Sequence, residues 1–127
     1  MALFTELDIY AAAYELSTLC ALYTGSMPRN FRSTMGATLI QDCHWSIQSI
    51  RLANSARGVE RLRHIENLRG AVSMIELSLR QCVDKRLKLI SRPQYAEAIK
   101  CAGDVGKRAT GWKQQTENAL VTSSSRR

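Results

Sequence analysis

A chain of 127 residues is one domain long, enough to bury one core but not two. Apolar residues make up 45%, which excludes a disordered chain, and two prolines and seven glycines leave long stretches free of helix breakers. The formal net charge is +7, and it is unevenly placed: residues 1–54 balance to −1 and residues 55–127 to +8. A positive field over one part of the surface suits nucleic acid, an anionic membrane or an acidic protein, and a modest excess also serves solubility.

The first apolar periodicity runs from Phe4 to Tyr23. Phe4, Leu7, Ala11 and Tyr14 form one stripe and Ile9, Ala12, Leu16, Leu19 and Tyr23 a second, so a helix buried on more than one side is expected. Gly25-Ser26-Met27-Pro28 ends it. A second helix is expected over Ser33–Asn54, with Ile40, Cys43, Ile47 and Ile50 inward. Ser55-Ala56-Arg57-Gly58 is the weakest break, either a short turn or a near-continuation. The third helix, Val59–Lys88, has the clearest pattern: Ile65, Leu68, Val72, Ile75, Leu79 and Cys82 alternate by three and four. Ser91-Arg92-Pro93 reads as a helix start, with Ser91 as the cap. The fourth helix follows to Val121, with Tyr95, Ala98, Ala102, Val105, Ala109 and Trp112 inward. The expected fold is all-α, an antiparallel up-down-up-down four-helix bundle over residues 1–122, with 123–127 a flexible basic tail.

Several apolar residues fall off the core stripes. Trp45 and Leu52 lie opposite the inward face of helix two, and Met74 and Leu77 point away from that of helix three. A tryptophan with apolar neighbours outside the core favours a subunit interface. On helix three, Arg69, Ser73, Glu76 and Arg80 share a flank, with Arg80 placed to pair with Glu76. On helix four, Gly103, Gly106 and Gly111 imply close approach of another backbone, either a neighbouring helix or a ligand beside the lysines. The cationic candidates for nucleic-acid or polymerase binding are Arg57, Arg61, Arg69, Arg80, Lys85, Arg86, Lys88, Arg92, Lys100, Lys107 and Arg108. Arg63 belongs to the same basic half. Lys85, Arg86, Lys88 and Arg92 are the densest group; part of that charge complements the end of helix three's dipole.

Catalytic patterns are missing from the sequence. His64 follows Arg61 and His44 follows Gln41, so the Glu-x-x-His motif of di-iron bundles does not occur. There is no phosphate-binding glycine loop, nucleophile elbow or H-E-x-x-H. Cys43 and Cys82 fall on core stripes and read as small apolar residues, not as zinc ligands. The expectation is a non-enzyme without metal or cofactor. Acids at Glu6 and Asp8 where a leader would be basic, dispersed cysteines and no apolar run near about 20 residues predict a cytoplasmic protein with no membrane partner.

Four motifs in order carry a resemblance over the whole chain: "MPRNF" after helix one, "SIQSIRLANSARG" across helix two and its junction, "LKLISRPQYAEA" into helix four, and "VGKRATGW" within it. Together they resemble the four-helix-bundle family that includes the accessory variability determinant of diversity-generating retroelements and proteins encoded in ribosomal-RNA intervening sequences. The resemblance implies a homopentameric barrel that binds the element's reverse transcriptase and template RNA or cDNA, the polymerase supplying the catalysis of mutagenic retrohoming. The intervening-sequence branch is less basic, and its second helix resembles "SI..NIAEG". Here Ala53-Asn54-Ser55 replaces that pattern, so the departure and the charge favour the retroelement branch. The alternative is a protein-interaction scaffold of the intervening-sequence type with no polymerase partner. The eleven cations above rest on charge clustering, not on the family.

Overall fold

The computed structural model of the chain describes residues 3–125, and they form four long helices and no strand. A short 3-10 turn, Phe4–Glu6, leads into α1, Asp8–Gly25. α2 occupies residues 29–55 and is built of an opening turn, Arg29–Phe31, wide π-type turns over Arg32–Gly36, and a regular length, Ala37–Ser55. α3 spans Gly58–Val83 and α4 spans Arg92–Ser125. Each helix packs on its chain neighbours and α4 closes the ring against α1, the antiparallel bundle that the periodicities imply. The expected tail at 123–125 is still helical, and residues 126–127 lie outside the described residues. No helix among the described residues is long and apolar enough to cross a membrane.

The core joins all four helices. Leu16 and Cys20 of α1, Leu39, Cys43 and Ile50 of α2, Ile65, Leu68, Ile75 and Leu79 of α3, and Ala98, Ala102, Val105 and Ala109 of α4 are fully buried. The α3 stripe is buried from Ile65 to Cys82 as its spacing requires. α4 contributes small side chains, so Tyr95 and Trp112 at its flanks fill the space left over and stay half-buried.

Four details depart from the sequence reading. α3 ends at Val83 and not at Lys88, so Lys85, Arg86 and Lys88 lie in the turn beyond it. The first stripe of α1 is largely at the surface: Ala11 and Tyr14 are exposed, and Phe4, Tyr10 and Tyr14 pack on one another (centroids 5.3 and 5.8 Å) in place of a second helix. The inward face of α2 is turned by roughly 60° from the expected one. Ser46, Ser49 and Ala53 are buried while Ile40 and Ile47 are only half-buried. Ser46 enters the core because its hydroxyl donates to the Cys43 carbonyl at 2.7 Å, which satisfies its polar atom within the helix. Finally, α2 starts at Arg29 and not at Ser33. The Thr34 hydroxyl donates to the Asn30 carbonyl at 2.8 Å, and the widened turns carry the Gly36 backbone against Thr24 of α1.

The ends are locked by few interactions. Tyr23 is buried where α1 meets the start of α4, and its hydroxyl donates to Glu97 (2.9 Å) and the Gln94 carbonyl (3.2 Å). Burial first, then the bond to Glu97, pushes its phenol pKa up. α4 opens with a capping box: the Gln94 N–H donates to Ser91 Oγ (3.2 Å) and the Ser91 N–H to Gln94 Oε1 (2.9 Å). Ser91→Ala is expected to cost about 1 kcal/mol in urea unfolding, since one donor of the first turn then has no partner.

Candidate nucleic-acid interface

The turn from α3 to α4 is anchored from inside. The N–H groups of Leu89 and Ile90 donate to the Cys82 carbonyl (2.8 and 3.2 Å), and both side chains are buried. This forces the backbone of Lys88 into the left-handed region, φ 51°, a conformation that costs a lysine about 1 kcal/mol. With Leu89 and Ile90 inside, Lys85, Arg86, Lys88 and Arg92 are all exposed. Lys85, Arg86 and Arg92 share a hollow of about 670 Å³ with Val83, Asp84 and Tyr95. Arg86 is already committed: its guanidinium grips both Asp84 oxygens (2.9 and 3.0 Å) and its N–H donates to Oδ1 (2.9 Å). Those hydrogen bonds hold the Asp84 carboxyl well below the usual carboxylate range and raise the Arg86 guanidinium.

A second group lies along the groove between α3 and α4, about 700 Å³ in volume. Arg69 and Lys107 line it, with Glu66 between them in charge: Glu66 Oε1 accepts from Arg69 (2.9 Å) and lies 3.2 Å from Lys113 Nζ. The bond from Arg69 chiefly lowers the Glu66 pKa. The Glu76–Arg80 pair expected on this flank does not form among the described residues. Gly70, Gly103 and Gly106 floor the groove, and a Cβ on any of them, or on Gly111, meets nothing within 4 Å. The helix-four glycines therefore do not serve close packing inside the monomer; Gly103 and Gly106 leave the groove open. Lys100 and Lys107 follow Arg92 along one exposed face of α4, and among the described residues no carboxylate is in ion-pair range of them.

Three candidates are placed elsewhere. The Arg61 side chain donates to the carbonyls of Ala53 (2.9 Å) and Asn54 (3.4 Å) at the end of α2 and lies over the Trp112 ring, 5.7 Å from its centre. It closes the helix end and the bundle's flank, a structural task. Arg108 bridges Asp104 (3.2 Å) and Asp8 (3.6 Å). Arg57 is exposed at the α2–α3 turn, the opposite end from Lys85. Arg63 pairs with Glu60. Two residues of these surfaces were missed by charge alone. Clustering does not pick out Lys113, a lone cation, and Tyr95 packs on the core as its stripe predicts but also lines the hollow, three residues after Arg92 on one side of α4.

The surplus apolar residues form a separate face. Trp45, Met74 and Leu77 are 46–50% exposed, and Leu52 is half-buried. Met74 and Leu77 line a hollow of about 570 Å³ with Thr38, Gln41 and Gln81, and none of its lining residues is charged. Gln41 also borders the hollow beside Trp45, which Asp42 and His44 line as well, so the face continues from α3 across α2 but its Trp45 end is not free of ionisable groups.

Cys20, Cys43 and Cys82 are buried. A hydrogen bond with Cys43, then burial, pushes the Cys20 thiol up, and burial alone raises Cys82. Among the described residues no three His, Cys, Asp or Glu side chains are placed to hold a metal ion. No family model, curated protein or solved structure matches the chain.

Proposed function

We propose that the chain is a non-catalytic accessory protein of the accessory-variability-determinant type, a homopentameric cytoplasmic scaffold that binds RNA or cDNA and the reverse transcriptase that copies it. The observation that carries this reading is the separation of surfaces. The hollow around Met74 and Leu77 is uncharged, while Lys85, Lys88, Arg92, Lys100 and Lys107 stand exposed on the α3–α4 turn and one side of α4, without an acidic partner among the described residues. An uncharged face carrying exposed apolar side chains suits contact between copies, and unpaired cations along one side suit a phosphate backbone. The ordered motifs from "MPRNF" to "VGKRATGW" support the retroelement setting.

Charge reversal at Lys85, Lys100 and Lys107, which leaves the Asp84–Arg86 clamp of the turn intact, tests the binding side. The triple variant should bind RNA at least about tenfold more weakly, with a salt slope reduced by about 2, while its helical circular dichroism is unchanged. Unchanged affinity would remove these residues from the interface.

A further inference from the structure

We propose that the hollow at the α3–α4 turn is a nucleotide subsite for single-stranded RNA, in which one base lies on the Tyr95 ring and its phosphate meets Lys85 and Arg92. This rests on the reading that the chain binds nucleic acid and names where and in what form.

The hollow brings together the three kinds of group that a nucleotide needs. Its volume, about 670 Å³, lies in the usual range for small-ligand sites. Tyr95 supplies a flat ring that is already held: it packs partly against the core and lines the hollow with its remaining surface. A ring fixed in this way loses little freedom when a base stacks on it, and stacking accepts any base. Val83 adds an apolar wall beside it.

The charge is supplied by Lys85 and Arg92. Among the described residues the only acid lining the hollow is Asp84, and both of its oxygens are held by Arg86. That pair is neutral together, and it fixes the turn instead of binding. Two full positive charges are left facing the hollow with nothing to neutralise them. The backbone of α4 is not the recognition element, because Pro93 has no N–H and the Gln94 N–H is taken by Ser91. Recognition therefore falls to side chains, which can follow a flexible strand.

A duplex cannot use this site in the same way. Its bases are stacked on one another and show no free face, so only the phosphate contacts remain. Single-strand preference is the signature of the subsite, as distinct from the salt-sensitive binding of the wider basic surface.

The test is fluorescence anisotropy with a labelled single-stranded oligouridylate and an RNA duplex of the same length, at fixed low salt. Tyr95→Leu keeps the apolar packing and removes the aromatic face; it should weaken single-strand binding about tenfold and leave duplex binding nearly unchanged. Tyr95→Phe should bind like the wild type. Lys85→Ala, at an exposed position, should lower the single-strand salt slope by about 0.7. Single-strand affinity unchanged in Tyr95→Leu, or an equal loss for both probes, would overturn the subsite while leaving the general binding reading in place. Should Tyr95→Leu fail to fold, an unchanged single-strand slope in Lys85→Ala overturns it. Absence of binding to either probe by the wild-type protein would remove both proposals.

Discussion

Gly36→Ala is expected to destabilise the bundle by about 1–3 kcal/mol, although alanine is the better helix former. A Cβ at this position would stand 2.4 Å from Thr24 Cγ2, and 3.3 Å from both Thr24 Cβ and Oγ1. Thr24 cannot swing clear, because it is buried on α1 and branched at Cβ. The substitution therefore pushes α1 and α2 apart where the π-type turns bring them closest. Gly111→Ala is the matched control. It has open space around it, so the same substitution should stabilise by up to about 1 kcal/mol. Thr24→Ser removes the offending methyl and should recover much of the Gly36→Ala loss. Urea unfolding of the three variants decides it; a Gly36→Ala protein as stable as Gly111→Ala would show that the contact at Gly36 does not constrain the fold.

The second large effect concerns assembly. If the proposed assembly forms through this face, Trp45→Glu together with Leu77→Glu should leave a 14.2 kDa monomer with unchanged helix content. Both side chains are about half exposed in the single chain, so the monomer tolerates a charge at either place. An interface that buries them does not, since each carboxylate would enter it unpaired. Sedimentation velocity at micromolar concentration reads the outcome, and a wild-type protein that sediments as a monomer would contradict the role given to this face.

Where the sequence was legible, the reason is chemical uniformity. The α3 stripe is made of large apolar residues from Ile65 to Cys82, and no polar residue competes for the core side. The Ser91 cap was legible because its partner, Gln94, lies three residues on. The α2 register was not, because serines at 46 and 49 count as polar in any periodicity, while Ser46 satisfies its hydroxyl inside its own helix. The glycines of α4 were recognised as unusual, but spacing alone does not distinguish a tight contact from an open groove. The site shows the same divide. Exposed lysines at 100 and 107 follow from the helical wheel, and Lys85 is exposed because it lies in the turn after Val83. The engagement of Arg61 with Ala53 and Trp112, and of Arg108 with Asp8, depends on residues brought close only by the fold. Tyr95 looked like core because it is partly core; its remaining surface faces Lys85 across a turn whose shape is set by Leu89, Ile90 and the Asp84–Arg86 pair.

The most direct measurement of the central claim is the affinity of the wild-type protein for RNA across a range of salt concentrations. A basic surface that grips phosphates through several unpaired cations predicts a straight decline of log affinity with log salt, with a slope of about −3 or steeper for single strands, given about 0.7 per phosphate contacted. A flat salt dependence, or no binding even at low salt, would contradict it.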